Sequence, residues 1–167
     1  KSFGMGEFDD LKLLIDWAAQ TGQQIIQILP VNDTTMTHTK SDSYPYNAIS
    51  IYALHPLYLN LQKMGKVIDN EQNTRFERLL KELNREETVH YEQVDSFKWE
   101  YFRILFDQEG DAILNSCGCQ WFVDENKEWL YPYALFCYFR DRFKSADFKE
   151  WGVYADYTVA QKLLYDE

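Results

Sequence analysis

Between positions 11 and 18 the apolar residues Leu11, Leu14, Ile15 and Ala18 recur three and four apart, the spacing that gives a helix one buried face. Asp9 or Asp10 stands ahead of this run and can cap it, and Thr21-Gly22 is a natural stop, so a helix is expected over 10–20. The next run, 24–29, reads Gln-Ile-Ile-Gln-Ile-Leu and is closed by Pro30. Its mostly apolar character predicts a strand buried on both faces, as in a parallel sheet. Helix, short loop and buried strand together are the grammar of an α/β fold.

Past Pro30 the pattern breaks into a polar stretch, 31–43, rich in Thr, Asp and Ser and ending at Tyr44-Pro45-Tyr46. Loops that leave the C-terminal ends of strands build the active sites of α/β barrels, so function is sought here. Residues 47–61 read as irregular structure with short turns, since Pro56 limits any helix. From about Asn70 the pattern becomes helical. Phe76, Leu79, Leu80 and Leu83 make one apolar face among charges, and 94–106 carries aromatic residues on more than one face, which predicts a largely buried helix. The stretch 129–139 is apolar all round, with Pro132 expected in its first turn, and 158–167 is a last amphipathic piece. There is no internal repeat or low-complexity linker.

Composition narrows the classes of function. The chain has 167 residues, with 27 acidic against 17 basic side chains and a net charge of −10. No basic stripe offsets that charge, so nucleic acid is not an expected partner. No apolar run approaches the roughly 18 to 20 residues that cross a bilayer, so no membrane is expected either. Three cysteines, the pair Cys117 and Cys119 and the single Cys137, suit a reducing compartment and read as small buried hydrophobes. Zinc would need a second Cys or His pair that the sequence lacks, so no metal is expected. The first residues, 1–6, include no initiator Met and read as the middle of a loop, so the chain is expected to begin inside a longer protein.

The polar loop concentrates the candidate chemistry. Asp33, His38, Asp42, Ser43, Tyr44 and Tyr46 can hydrogen-bond sugar hydroxyls and offer aromatic faces to pyranose rings, although the same composition also fits a plain solvated surface. His38, flanked by Asp33 and Asp42, matches no ligand spacing and is expected to be a solvated loop residue. A hydrolase triad is disfavoured: Ser43 lies in no Gly-x-Ser-x-Gly elbow, and His55 and His90 have no evident orienting partner. Gly4-x-Gly6 lacks the third Gly and the preceding strand of a nucleotide fingerprint.

Three segments taken together carry a resemblance: Gly4-Met-Gly-Glu-Phe8, Ile26-Gln-Ile-Leu-Pro30, and Asp42-Ser-Tyr-Pro-Tyr-Asn-Ala-Ile-Ser50 followed by Ala53-Leu-His-Pro56. They resemble the 4-alpha-glucanotransferases, the amylomaltases or disproportionating enzymes of the alpha-amylase clan. Asp-Ser-Tyr-Pro-Tyr and Ala-Leu-His-Pro are similar to the wording of the plant cytosolic branch. Val94-Asp95 with Lys98, then Trp121-Phe122, Glu125-Asn126, Trp129-Leu130 and Tyr133-Ala-Leu-Phe136, look like the family's helical insertion.

The resemblance implies an α/β fold class: a fragment of a (β/α)8 barrel, one strand plus a helix, with a mostly α-helical inserted subdomain. Residues 1–61 would be a partial barrel segment with the substrate loop, and 62–167 the helical insertion. It implies transfer of α-1,4-glucan segments between maltodextrins by a retaining covalent mechanism, in the cytoplasm, with no metal or organic cofactor. Tyr46 occupies the place of the family's glucan-contacting Tyr, Ser43 stands beside it, and Asp42 either joins them or holds the loop by capping amides. The family's catalytic carboxylates lie in Arg-x-Asp and Glu-Asp-Leu-Gly motifs that this sequence does not contain, so the chain alone is expected to have no catalytic residue and no activity. Self-association through truncated surfaces is a further expectation. The alternative is a non-catalytic helical module that binds glucan or another protein.

Overall fold

The computed structural model describes residues 3–162. The first helix, α1, runs Phe8–Gln20. Its cap is Glu7, earlier than expected, and Asp10 works from inside the first turn by accepting the Glu7 backbone N–H at 2.8 Å. Thr21 and Gly22 end it as anticipated, Gly22 with φ +75°.

The expected strand does not form: residues 24–29 are neither strand nor helix. A strand must satisfy its N–H and C=O groups on a neighbouring backbone. Among the described residues no strand runs beside this segment, and Asn32 and Leu54, downstream of it, form an isolated antiparallel bridge. Burial is overturned as well. Ile25 is 86% exposed, and Ile28 and Leu29 also face solvent. The apolar stripe of α1 shares this fate: Ala18 is buried, but Leu14 and Ile15 are exposed, Ile15 in an open groove that Ile26 and Ile28 also line. Of the expected strand and helix only the helix, α1, forms among the described residues, and the structure is mostly helical.

Helices form where the sequence pattern predicts them, with α4 and α5 longer than predicted. A turn at Pro56–Tyr58 and a short α2, Leu61–Met64, lead to α3, Asn70–Leu83, whose Phe76, Leu79 and Leu83 are buried. The Asp69 carboxylate caps α3 by accepting the Gln72 N–H at 3.0 Å. The next helix, α4, Tyr91–Leu114, is longer than the aromatic stretch that predicted it, and Phe106 at its far side is exposed. Then α5 covers Cys117–Phe143, with the Ser116 hydroxyl accepting the Cys119 N–H. Pro132 sits in the interior of α5 and not in its first turn. Proline there removes one backbone hydrogen bond, a loss that packing of the apolar stretch around it must offset. A 3-10 segment, Phe148–Ala155, and α6, Tyr157–Lys162, close the described chain, and the rest of the predicted piece at 158–167 lies outside the described residues.

Two apolar clusters hold these elements. In the larger, Phe3, Met5, Leu57 and Leu61 pack with α3 and α4 around Tyr101 and Leu105. In the smaller, Leu135 and Phe139 of α5 meet Trp151 and Ala160, and the Phe139 ring stacks on Tyr154 with centroids 4.8 Å apart. At the heart of the larger cluster lies a cation. The Lys98 ammonium, fully buried, donates to the Glu7 carboxylate at 2.8 Å and to the carbonyls of Leu57 at 2.6 Å and Leu59 at 2.8 Å.

Gly4 shows why the first glycine of the opening stretch is needed. Its φ is +79°, its N–H donates to the Asn84 side-chain carbonyl at 2.8 Å, and a Cβ added there would sit 2.9 Å from the Leu83 carbonyl oxygen. Gly4→Ala is expected to destabilise by at least about 1–2 kcal/mol, the cost of a left-handed backbone alone. Gly6→Ala, where a Cβ meets nothing within 4 Å, serves as the control in the same chemical denaturation.

Candidate functional site

The polar loop 32–46 keeps its shape through side chains that bond its own backbone. Asp33 is buried at its base: the Asp33 N–H donates to the Ala53 carbonyl at 2.9 Å, and the Asp33 carbonyl accepts from the Ile49 N–H at 2.8 Å. One oxygen of its carboxylate accepts the Thr35 N–H at 2.9 Å and the Thr35 hydroxyl at 2.6 Å, and the other accepts the Tyr133 hydroxyl of α5 at 2.6 Å. Burial first, and then this bond to Asp33, push the Tyr133 phenol far above its ordinary value. The Thr34 hydroxyl donates to the Asp42 carbonyl, which draws the far arm of the loop back onto the near one.

Of the three residues singled out beforehand, Asp42 is buried, Ser43 and Tyr46 are exposed. The Asp42 carboxylate accepts the N–H groups of Thr37 at 2.8 Å and His38 at 2.7 Å. Its geometry is that of a loop-holding turn residue. Those two bonds support the left-handed conformation of His38, φ +57°, which costs about 1 kcal/mol or more outside glycine. The Ser43 hydroxyl donates to the Lys40 carbonyl at 2.7 Å, closing the 3-10 turn Lys40–Ser43. Ser43 also borders two open grooves, one of about 290 Å³ lined by His55, Tyr58 and Tyr91, the other of about 430 Å³ lined by Leu29, Pro30 and Pro45. Tyr44 and Tyr46 stand out from the turn, both more than half exposed, with ring centroids 5.5 Å apart and planes tilted by 54°. A pair of outward aromatic rings above a braced turn can take a sugar face.

His38 is not the solvated loop histidine that the sequence suggested. Its Nδ1 lies 2.7 Å from an Asp95 oxygen on α4 and its Nε2 lies 3.2 Å from Asp141 on α5. These bonds, to Asp141 first and Asp95 second, outweigh burial and raise its pKa to about 9. Burial opposes ionisation of Asp141, but its bonds to His38 and Arg140 prevail and hold its carboxyl down at about 2. Arg140, also buried, donates from Nη1 to the Thr35 carbonyl at 2.6 Å and from Nε to Asp141 at 2.8 Å. His55 likewise has partners after all. Its Nδ1 accepts the Leu57 N–H at 3.4 Å, its Nε2 meets the Tyr91 hydroxyl at 3.2 Å, and burial favours its neutral form against the opposing pull of Asp33.

Sequence reasoning singled out the loop as the candidate, but it did not foresee that Asp95, Tyr133, Arg140 and Asp141 of the long helices brace it. A usable signal was present in Arg140, a cation following Phe136 and Phe139 in an apolar stretch, since such a charge is seldom buried without a partner. Among the described residues no group of three or more His, Cys, Asp or Glu could hold a metal ion, and no helix is long and apolar enough to cross a membrane. The three cysteines are unbridged, and they are not the buried hydrophobes expected: Cys117 is exposed and Cys119 and Cys137 are half-buried, with burial raising the Cys137 thiol.

A family model described as 4-alpha-glucanotransferase matches residues 1–164 of this chain. The chain is 40% identical over 158 residues to 4-alpha-glucanotransferase DPE2 of Oryza sativa subsp. japonica, covering 95% of this chain and 17% of the relative. It is 36% identical over 171 residues to a 4-alpha-glucanotransferase of Chlamydia caviae, covering 99% of this chain and 31% of the relative. A 4-alpha-glucanotransferase of Clostridium butyricum is 26% identical over 157 residues, with 90% and 29% covered. The chain thus spans less than a third of the length of these relatives. No solved structure gives a significant match.

Proposed function

Because the chain belongs to the 4-alpha-glucanotransferase family, we propose that the protein of which it forms a part moves α-1,4-glucan segments between maltodextrins, and that the loop 32–46 carries one wall of the glucan cleft. In this reading Tyr46 stacks on a sugar ring, Ser43 offers its hydroxyl at the groove edge, and Asp42 acts at one remove by fixing the turn. The observation that supports it is the contrast between the two exposed tyrosine rings and the buried bonds beneath them. A rigid aromatic platform binds without a large ordering cost.

The retaining mechanism, cytoplasmic location and barrel setting belong to the same proposal. Retention requires one carboxylate to attack the anomeric carbon and a second carboxyl group, about 5 Å away, to protonate the leaving oxygen and then deprotonate the acceptor. The motifs expected to carry that pair do not occur in this sequence, so the 167-residue chain alone is inactive in this reading. Incubation with maltotriose is then expected to leave it unchanged; glucose and longer maltodextrins would overturn the inactivity. Division at 61/62 into a barrel segment and a helical insertion completes the proposal.

Tyr46 supplies the direct test. In the full-length protein Tyr46→Ala is expected to raise KM for maltodextrin roughly tenfold, equivalent to about 1.4 kcal/mol of binding, with the melting temperature unchanged because the ring is exposed. Unaltered KM and kcat would remove Tyr46 from the site.

A further inference from the structure

His38 is the one side chain of the loop that is bonded to both long helices at once, Asp95 on α4 and Asp141 on α5. We propose that His38 is a positioning residue: its imidazolium, gripped by Asp95 and Asp141, holds the loop in the conformation that presents Tyr44 and Tyr46 to the glucan. The inference rests on the reading of this loop as part of the glucan cleft.

The connection from ring to platform is continuous. The His38 ring is fixed at both nitrogens, its backbone N–H is held by Asp42, and Asp42 is part of the 3-10 turn that Tyr44 caps. Lys40, in the same turn, donates its N–H to Glu92 of α4 at 2.7 Å, a weaker second anchor because it is solvent-exposed. Simultaneous bonds from both ring nitrogens to carboxylates require both to carry protons, which only the cation does. Asp95 adds a reason for the cation to persist: the residue is buried, and its second oxygen has no hydrogen-bond partner among the described residues. The charged and titratable groups facing the ring are Asp95 from α4, Asp141 and Arg140 from α5, and His55, which burial keeps neutral; Asp42 of its own loop meets the backbone N–H and not the ring. The Trp99 ring meets it edge-on at 6.0 Å.

Loss of the proton leaves one carboxylate facing a ring nitrogen with no hydrogen to offer, and that grip is released. The sign follows from the raised pKa. The grip is complete below the unfolded value of 6.5 and is lost as pH rises through about 9. Stability alone is an ambiguous readout, since Lys98, whose pKa burial lowers, contributes with the opposite sign as pH rises. KM for maltodextrin is the quantity that isolates the loop.

In the full-length protein, wild-type KM is expected to climb as pH passes about 9, with a smaller change in kcat. His38→Gln is expected to show KM raised roughly tenfold at neutral pH, the scale of a misplaced contact, and no further climb in the alkaline range. Asp141→Asn, at a half-exposed position where the amide oxygen can still accept from Arg140 Nε, is expected to move the climb to lower pH by removing one charged partner. A wild-type KM that stays flat through this range, a climb that persists unchanged in His38→Gln, or an Asp141→Asn profile identical to wild type would each overturn the proposal. Tyr46→Ala in the same assay separates the two ideas. If it raises KM while the His38 and Asp141 variants do not, the glucan loop stands and the positioning role falls; if Tyr46→Ala leaves KM unaltered, the loop reading itself falls.

Discussion

Lys98→Ala is expected to destabilise the protein by about 3–5 kcal/mol, the usual cost of removing one partner of a buried ion pair. The Lys98 side chain is fully buried and its ammonium has three oxygen partners: the Glu7 carboxylate and two carbonyls in the turn around Pro56–Tyr58. Truncation leaves the Glu7 charge buried and two carbonyls without a donor, and it separates the segment before α1 and the 56–59 turn from α4. Burial pulls the amine below its ordinary value, while the bond to Glu7 pulls the other way, so the pair is held together at a desolvation cost. Lys98→Met combined with Glu7→Gln is therefore expected to recover much of the loss, since it removes both charges and refills the volume. Denaturant midpoints of Lys98→Met, Glu7→Gln and the double variant give the coupling directly. A loss below about 1 kcal/mol for Lys98→Ala would place the pair among weak surface bridges, and the three-way bond would not be holding these segments together.

Lys98 also shows where sequence patterning stops. The helix around it was legible from its aromatic stretch: Val94, Tyr101 and Leu105 are buried, although Phe106 of the same stretch is exposed. The charges inside that stretch were not, because a periodicity argument assigns Asp95 and Lys98 to a face without saying what meets them. Their partners, His38 and Glu7, lie 57 and 91 residues away along the chain. The same holds for Arg140 and Tyr133, which close on Thr35 and Asp33 across more than 100 positions or at that limit. Local composition could single out 32–46 as a candidate loop, but the bonds that hold its shape come from long-range pairing. The strand at 24–29 failed for the complementary reason. Its apolar residues do fit a buried strand, yet strand formation depends on a neighbour that the described residues do not supply. Exposed Ile25, Ile28 and Leu29, with the bare side of α1, mark the face on which the sequence pattern expects a second layer. Pro132 is a smaller case: the helix around it extends farther toward the N-terminus than its apolar stretch, so a residue suited to a first turn lies mid-helix.

The second large effect is expected at Asp33. Its carboxylate is almost completely buried and accepts from the Thr35 N–H, the Thr35 hydroxyl and the Tyr133 hydroxyl. Hydrogen bonds to a charged acceptor contribute about 1.5–3 kcal/mol each, and donors left buried without a partner add a penalty. Asp33→Ala is therefore expected to lose at least about 3 kcal/mol and to release the base of the loop from α5. Asp33→Asn separates charge from geometry. Its amide oxygen can keep the Thr35 pair while its NH2 donates to the Tyr133 oxygen with the direction of that bond reversed, but both bonds lose their charged acceptor, so an intermediate loss is expected. Two titrations report the local change. Asp33 works to raise the His55 pKa against the dominant effect of burial, so its neutralisation is expected to lower that pKa further. The Tyr133 phenol, which burial and Asp33 both hold up, is expected to come down. Proton NMR of the His55 ring and of the Tyr133 ring follows the two groups independently. An unchanged melting temperature in Asp33→Ala, with His55 unmoved, would mean that Tyr133 and Thr35 find other partners and that the loop is held chiefly from its Asp42 and His38 end. That outcome would shift the weight of the site onto the histidine grip, where the alkaline KM profile of the Asp33→Ala variant would then have to match that of the native protein.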